Sequence, residues 1–393
     1  MGGKEAKMAA IGLIRRIVEG CGSLDNIAAE VQAFGAQHVL MVTDKGVYNL
    51  GLTKGAETAL QTAGIELCIE SDVPPEPTQA QVQAIFDKAA GFKADLVLAI
   101  GGGSAMDTAK LIALMLQNDL TVQDLLDGKR PQSRKVPLIM VPTTAGTGSE
   151  ATPNAIVLVP EQNLKIGIVS DLMVCDTAIL DAKLTQGLPP AITANTGIDA
   201  LCHLMECYIS KKHNPLSDAF CLRGISLIAR SLRRAYTDGN DLAARADMLL
   251  ASCFGGIAIA GSSTVGIHAL SYPLGGRYHI PHGLSNAILM PYIMEENAPC
   301  CIERYGDIAQ AMGLATSGKS PEEVAQMLVS ELYAFNRDLH IHCDLKAKGI
   351  TLEVVDELVT AAAKVTRLLN NNPKDLSHED MKRIYCRLIA DNA

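Results

Sequence analysis

Short apolar runs punctuate the first half of the chain: "HVLMVTD" (38–44), "IELCIESDV" (65–73), "DLVLAIGGG" (95–103), "VPLIMVPT" (136–143) and "AIVLVP" (155–160). Their length and β-branched content predict buried strands. Helical segments lie between the earlier runs. Ser23 is positioned to cap "LDNIAAEVQAF", which stops at Gly35, and Thr78 with Gln81 spells a capping box ahead of "VQAIFDKAAGF". Alternation of this kind predicts an α/β unit with a mostly parallel sheet covered on both faces. After about residue 182 the period changes. "ITANTGIDALCHLMECYIS", "PLSDAFCLRGISLIARSLRRAY", "LAARADMLLASCFGGIAIAG" and "SPEEVAQMLVSELYAFNRDL" all repeat with helical spacing. The Gly- and Pro-containing "LTQGLPPA" (184–191) marks the change, so the expected division is an α/β domain over 1–185 and an all-α domain over 186–393.

A chain of 393 residues exceeds what one core usually organises, which agrees with two domains. The net charge of −9 argues against a nucleic-acid partner, because phosphate backbones call for a basic surface. No uninterrupted apolar run of membrane-spanning length stands out, and the start lacks the apolar core and cleavage signal of a secreted protein. The eleven cysteines are scattered, with no CxxC pair, and read as reduced thiols of a cytoplasmic protein.

Two stretches carry chemistry. In "DLVLAIGGGSAMDTAK" a strand runs into three glycines and then a helix. Backbone without Cβ lets N–H groups approach phosphate oxygens, and the helix N-terminus adds partial positive charge. Ser104 and Asp107 also suit helix initiation there. A second loop, "PTTAGTGSEATP" (142–153), follows the next strand, and two such loops create a crevice for a dinucleotide. By contrast "GCGSLD" (20–25) only begins like a dinucleotide fingerprint and lacks a buried strand before it.

The other stretch concerns histidine. In "TGIDALCHLMEC" Asp199 and His203 are four apart, so a helix presents both on one face. "GIHALSYPLGGRYHIPHG" (266–283) adds His268, His279 and His282. One carboxylate with three imidazoles suits Fe²⁺ or Zn²⁺ and leaves a position open for a substrate oxygen. His279 reads as a rim residue. Spacing alone does not bring the two segments together.

Taken in order, "VTDKGV", "GGGSAMDTAK", "VPTTAGTGSEAT", "TGIDALCH" and "HALSYPLGGRYHIPHG" resemble the iron-containing (group III) alcohol dehydrogenases over nearly the whole chain. The resemblance implies a Rossmann-like N-terminal domain, a helical C-terminal domain in a dehydroquinate synthase-like architecture, and a cleft metal held by Asp199, His203, His268 and His282. It implies pyrophosphate contacts at Gly102, Gly103 and Ser104, beside Asp107, with Thr143, Thr144 and Thr147 lining the nucleotide cleft and Lys165 nearby. Asp44 matches the ribose-facing carboxylate of NAD-preferring members, so NAD is expected over NADP. The expected reaction is hydride transfer between NAD(H) and a small alcohol or aldehyde, or a hydroxy or oxo acid, in a homodimer or higher homo-oligomer.

Two positions depart from the family pattern. Tyr272 stands where most members carry a further histidine, similar to the hydroxyacid–oxoacid transhydrogenase branch, and Glu76 stands where many carry Asn. Tyr272 and His282 are the expected catalytic-centre side chains. Tyrosine at its ordinary pKa relays protons poorly, so Tyr272 is expected to shape the substrate pocket. Tyr272 and Arg277 would favour a polar or carboxylated substrate, although Arg277 reads equally as a surface residue. A transhydrogenase that retains NAD, and a dehydroquinate synthase-type lyase, are the alternative activities.

Overall fold

The computed structural model describes residues 10–160 and 164–392. Among them are eight strands: β1 (Arg16–Glu19), β2 (His38–Val42), β3 (Glu66–Glu70), β4 (Leu96–Gly101), β5 (Leu138–Pro142), β6 (Asn154–Val159), β7 (Leu164–Val169) and β8 (Thr177–Leu180). Six of them form one all-parallel sheet in the order β1-β8-β5-β4-β2-β3. Every residue of β4 and β5 is buried, as expected for strands covered on both faces. Strand order reverses at β4, with β2 and β3 to one side and β5 and β8 to the other. The crevice at that reversal opens beyond the carboxyl ends of β2 and β4.

Several local expectations need correcting. "AIVLVP" is a strand, but it pairs antiparallel with β7 in a separate hairpin, and its burial alternates because the hairpin has one covered face. The strand before "GCGSLD", β1, is a largely exposed edge, so the expectation that no buried strand leads into this stretch holds. Ser23 makes no cap, and the helix it was to start is a short 3₁₀ turn leading into Ile27–Gln32. The acceptor comes instead from Asp181 just after β8, whose carboxylate takes the N–H groups of Gly22 (2.9 Å) and Leu24 (3.2 Å). The Thr78–Gln81 capping box forms as expected. Ser104 and Asp107 do not cap the Gly103–Met115 helix, which begins at Gly102 with no side-chain cap.

From Pro190 onward the described chain is helical, with Pro190–Ile209, Pro215–Thr237, Leu242–Gly261, Gly266–Tyr278 and His282–Asn297 forming the centre. The Leu242–Gly261 helix is long and apolar enough to cross a membrane by composition, but 61% of that window is buried inside the fold. Its Cys253 and Ile257 join the core on one face of the sheet. Contact there is backbone to backbone. Gly148 has φ +58°, and a Cβ on it would lie 2.4 Å from the Ser252 carbonyl oxygen; one on Gly256 would lie 2.1 Å from the Gly148 oxygen. Glycine on both sides lets the second Gly/Thr-rich loop seat directly on the helix.

Candidate active site between sheet and helices

The Pro190–Ile209 helix places Asp199, His203 and Glu206 on one buried stripe at i, i+4 and i+7. His268 lies in the first turn of the Gly266–Tyr278 helix. His282 opens the His282–Asn297 helix directly after Pro281. Gly283 makes that approach feasible, since a Cβ there would meet the Asn195 carbonyl oxygen at 2.5 Å. One ligand atom from each of Asp199, His203, His268 and His282 falls within 4.8 Å of the others. Their Nε2 atoms stand 3.8, 3.8 and 3.7 Å from Asp199 Oδ1, for His203, His268 and His282 respectively. The two segments do meet.

Hydrogen bonds behind the ligands orient two of the rings. His203 Nδ1 donates to the Gly146 carbonyl at 3.2 Å, and His268 Nδ1 donates to Glu206 Oε2. Each Nε2 lone pair is thereby turned toward the cluster. Burial pushes His268 and His282 down to about 4 and lowers His203 as well. For Asp199, burial acts upward, but the three histidines and Asn286 outweigh it and hold the carboxyl below its ordinary range. At neutral pH the set is one carboxylate and three neutral imidazoles, the donor set of a divalent cation. Burial raises Glu206 to about 8 against the hydrogen bonds it receives.

Asn286 supplies an independent sign. Its Nδ2 lies 2.7 Å from Asp199 Oδ1, 3.1 Å from His268 Nε2 and 3.2 Å from His282 Nε2, while its buried Oδ1 has no partner. Three acceptors converging on one donor define a point that favours positive charge. The residues present therefore fit a metal ion. Access is from the His282 side, whose side chain is 34% exposed against 3% for Asp199.

Two cavities meet here. One of about 380 Å³ runs from His203 and His268 outward past Ser263, Lys212 and Arg367; one of about 150 Å³ reaches Gly103, Ser104, Glu76 and Lys165. Asp107, Thr147, Ile156, Tyr272 and His282 line both. The smaller cavity continues the sheet crevice. Gly103 has no room for a side chain, because a Cβ would lie 2.9 Å from Thr147 Cγ2, whereas a Cβ on Gly102 would make ordinary contact with Thr144 Oγ1 at 3.5 Å. Thr143 is buried, its N–H bonded to the Gly101 carbonyl. Asp107 accepts from Ser149 Oγ (2.5 Å) and Ile156 N (2.9 Å), so it ties the two loops and the hairpin together. Asp44 sits at the end of β2, accepts from Val47 N, and points an oxygen toward Gly101. Lys165 Nζ bonds Glu76 Oε1 at 2.5 Å, and Glu76 N donates to Ser104 Oγ. Glu76 adopts φ +50°, a conformation that suits Asn or Gly better.

Tyr272 faces the junction, its ring centroid 6.3 Å from that of His282, and burial raises its pKa. His279 is exposed at the C-cap of its helix. Arg277 is a surface residue paired with Glu357 and lines neither cavity. Three residues of the site escaped sequence reasoning. Glu206 and Asn286 continue helical stripes from Asp199 and His282, a signal that was available; Arg367, on a distant four-residue helix, had none.

A parallel-sheet crevice facing a buried Asp/His₃ cluster defines a nucleotide- and metal-dependent enzyme of two layers. Residues 15–182 match the iron-containing alcohol dehydrogenase family, and residues 193–389 match the C-terminal part of the Fe-containing alcohol dehydrogenase family. The chain belongs to that family of oxidoreductases, which work with NAD and a divalent metal. It is 40% identical over 369 residues to long-chain-alcohol dehydrogenase 1 of Geobacillus thermodenitrificans, covering 93% of each chain. Among solved structures, an alcohol dehydrogenase from Oenococcus oeni superposes with TM-score 0.91 at 30% identity, over 98% of this chain and 100% of that one. Sulfoacetaldehyde reductase from Bifidobacterium kashiwanohense, in complex with NAD⁺, gives TM-score 0.88 at 29% identity over 98% and 100%.

Proposed function

We propose that this chain moves a hydride between NAD(H) and a small alcohol or aldehyde, with residues 1–185 carrying the nucleotide and 186–393 the metal and substrate. The observation that carries the reading is the junction itself: four ligand groups converge where the two cavities share Tyr272 and His282. Asp199, His203, His268 and His282 would hold the metal. Gly102, Gly103, Ser104, Thr143, Thr144 and Thr147 would hold the nucleotide, with Lys165 and Asp107 beside them. When bound, the ion supplies Lewis acidity toward a substrate oxygen and the nicotinamide supplies the hydride acceptor. The protein's own part is orientation. Gly146 and Glu206 keep protons on the Nδ1 atoms of His203 and His268. Tyr272, held protonated by burial, acts as a wall of the pocket and leaves proton exchange to solvent.

Preference for NAD is supported by the Asp44 carboxylate above Gly101, which would repel the extra phosphate of NADP. A cytoplasmic place is supported by eleven free cysteines. A homo-oligomer is supported by the edge of β1, which no other strand pairs among the described residues and near which Leu13 and Ile17 are exposed.

The test is a panel of primary alcohols, diols and 2- and 4-hydroxy acids, assayed with NAD and either Fe²⁺ or Zn²⁺. Metal-dependent NADH formation with at least one class is expected. Turnover between a hydroxy acid and an oxo acid without free NAD would replace the reading with a transhydrogenase. Metal-loaded protein that binds NAD yet reduces none of it would overturn it.

A further inference from the structure

The outer end of the larger cavity is built from three segments pinned to one another. Asn371, 8% exposed, donates through Nδ2 to the Arg367 carbonyl (2.8 Å) and to Ser263 Oγ (3.3 Å). Its own carbonyl accepts from Lys211 N at 2.8 Å. The turn after the Pro190–Ile209 helix, the Ser262–Thr264 connection and the Thr366–Leu369 helix are thereby fixed as one rim. That rim carries Lys212 and Arg367.

Neither cation has a carboxylate partner among the described residues. The contrast with their neighbours is plain, since Lys211 pairs with Asp375, and Arg277, Arg304, Arg383 and Arg387 all pair with acids. Lys212 and Arg367 are both exposed residues, but the Arg367 guanidinium is turned toward the cavity. Its Nη2 reaches to within 3.8 Å of the place a Cβ on Gly167 would take, and its guanidinium faces the Tyr272 phenol. It therefore reaches inward, between the β6–β7 hairpin and Tyr272, one of the residues that line both cavities. The acids of the same lining do not neutralise it. Asp107 is engaged by Ser149, Ile156 and Lys110, and Asp171 pairs with neither cation. In a chain of net charge −9, two cations without carboxylate partners thus stand at one end of this cavity and give that end a local positive charge.

We infer that the substrate is an alcohol or aldehyde bearing an anionic group, a carboxylate or sulfonate, which docks on Arg367 with Lys212 adding to the attraction. A guanidinium gives such a group two parallel hydrogen bonds and repels a substrate carrying a quaternary ammonium. The inference rests on the dehydrogenase reading above and narrows it. Arg367 takes over the role that sequence reasoning offered to Arg277.

The experiment compares 3-hydroxypropanoate and 3-hydroxypropane-1-sulfonate with 1-butanol and 1,4-butanediol, using metal-loaded wild-type, Arg367→Met and Arg367→Lys proteins with NAD. Wild type should favour the anionic alcohols in kcat/KM by at least about tenfold. Arg367→Met should lose most of that ratio, Arg367→Lys should keep much of it, and the ratio should fall with added salt. The carboxylate and sulfonate arms say which anion fits better. Propanoate and propane-1-sulfonate, titrated calorimetrically into the same proteins, give a readout without turnover. Weaker anion binding by Arg367→Met upholds the inference even if no alcohol is oxidised, in which case the dehydrogenase reading is what fails. Preference for neutral alcohols by wild type, or equal anion binding by wild type and Arg367→Met, overturns it.

Discussion

Glu206 grips His268 from behind: one carboxylate oxygen accepts the ring Nδ1 proton, and the other accepts the N–H of Ile267 at 2.6 Å. A single side chain thus fixes both the ring and the backbone that carries it. Glu206 is fully buried.

Glu206→Ala should weaken metal affinity by about 10–100-fold, because the His268 ring loses its orienting partner. Glu206→Gln, which can still accept one of the two bonds, should fall between. Competition against a chelator of known affinity measures this without any activity assay. Unchanged affinity in Glu206→Ala would show that packing alone orients His268.

Gly283→Ala should cost about 1–3 kcal/mol and lower metal content, since the new Cβ meets the Asn195 oxygen at 2.5 Å and pushes His282 away from Asp199. Gly306 is the control. It lies within the Ile302–Ala311 helix with open space around it, so Gly306→Ala should stabilise by about 0.5–1 kcal/mol. Thermal unfolding with metal analysis separates the two.

The cap that Asp44 makes and the cofactor preference proposed for it can be parted by one substitution. Asn accepts the Val47 N–H as Asp does but carries no charge, so Asp44→Asn should preserve thermal stability while narrowing the preference for NAD over NADP. Asp44→Gly should narrow it too. Cofactor kcat/KM ratios decide; a ratio unmoved in both variants would leave Asp44 as a cap alone.

Glu150 is 1% exposed and neither of its oxygens has a hydrogen-bond partner. Burial pushes its carboxyl up to about 7, with Lys110 acting in the opposite direction; Cys175 and Cys253 also border it. The folded chain therefore holds this proton more tightly than the unfolded chain does. That contribution is complete below the ordinary glutamate value of 4.5 and disappears as pH rises through about 7. It amounts to roughly 3 kcal/mol. Glu150→Gln stays neutral throughout and should lose less stability than wild type between about pH 5 and 8, as read by urea unfolding. Equal losses in the two proteins would refute the assignment.

What could be read in the sequence was local or periodic. The Thr78–Gln81 box needs only three residues of separation, and the uniformly apolar β4 and β5 advertise their burial. Asp199 and His203 share a helix turn. Features that failed depend on distant partners. Ser23 loses its capping role to Asp181, 159 positions from Gly22, and β1 and β8 are four-residue strands without a pattern. "AIVLVP" cannot reveal that β7 would claim it for a hairpin. Arg367 reaches the cavity through tertiary packing that no local pattern announces, whereas Arg277, equally legible as a surface residue, turns outward to Glu357.

The bond from His203 Nδ1 to the Gly146 carbonyl joins a metal ligand to the loop that also presents Thr144 and Thr147. With the nucleotide on that loop as proposed, this bond is a direct physical link through which ordering of the loop would reach the imidazole, and the reverse. Thermodynamic reciprocity then fixes the outcome: by whatever factor metal tightens NAD, NAD tightens metal. The chelator-competed metal affinity with and without saturating NAD therefore reports the same factor, and the same sign, as the NAD affinity of metal-loaded against metal-free protein.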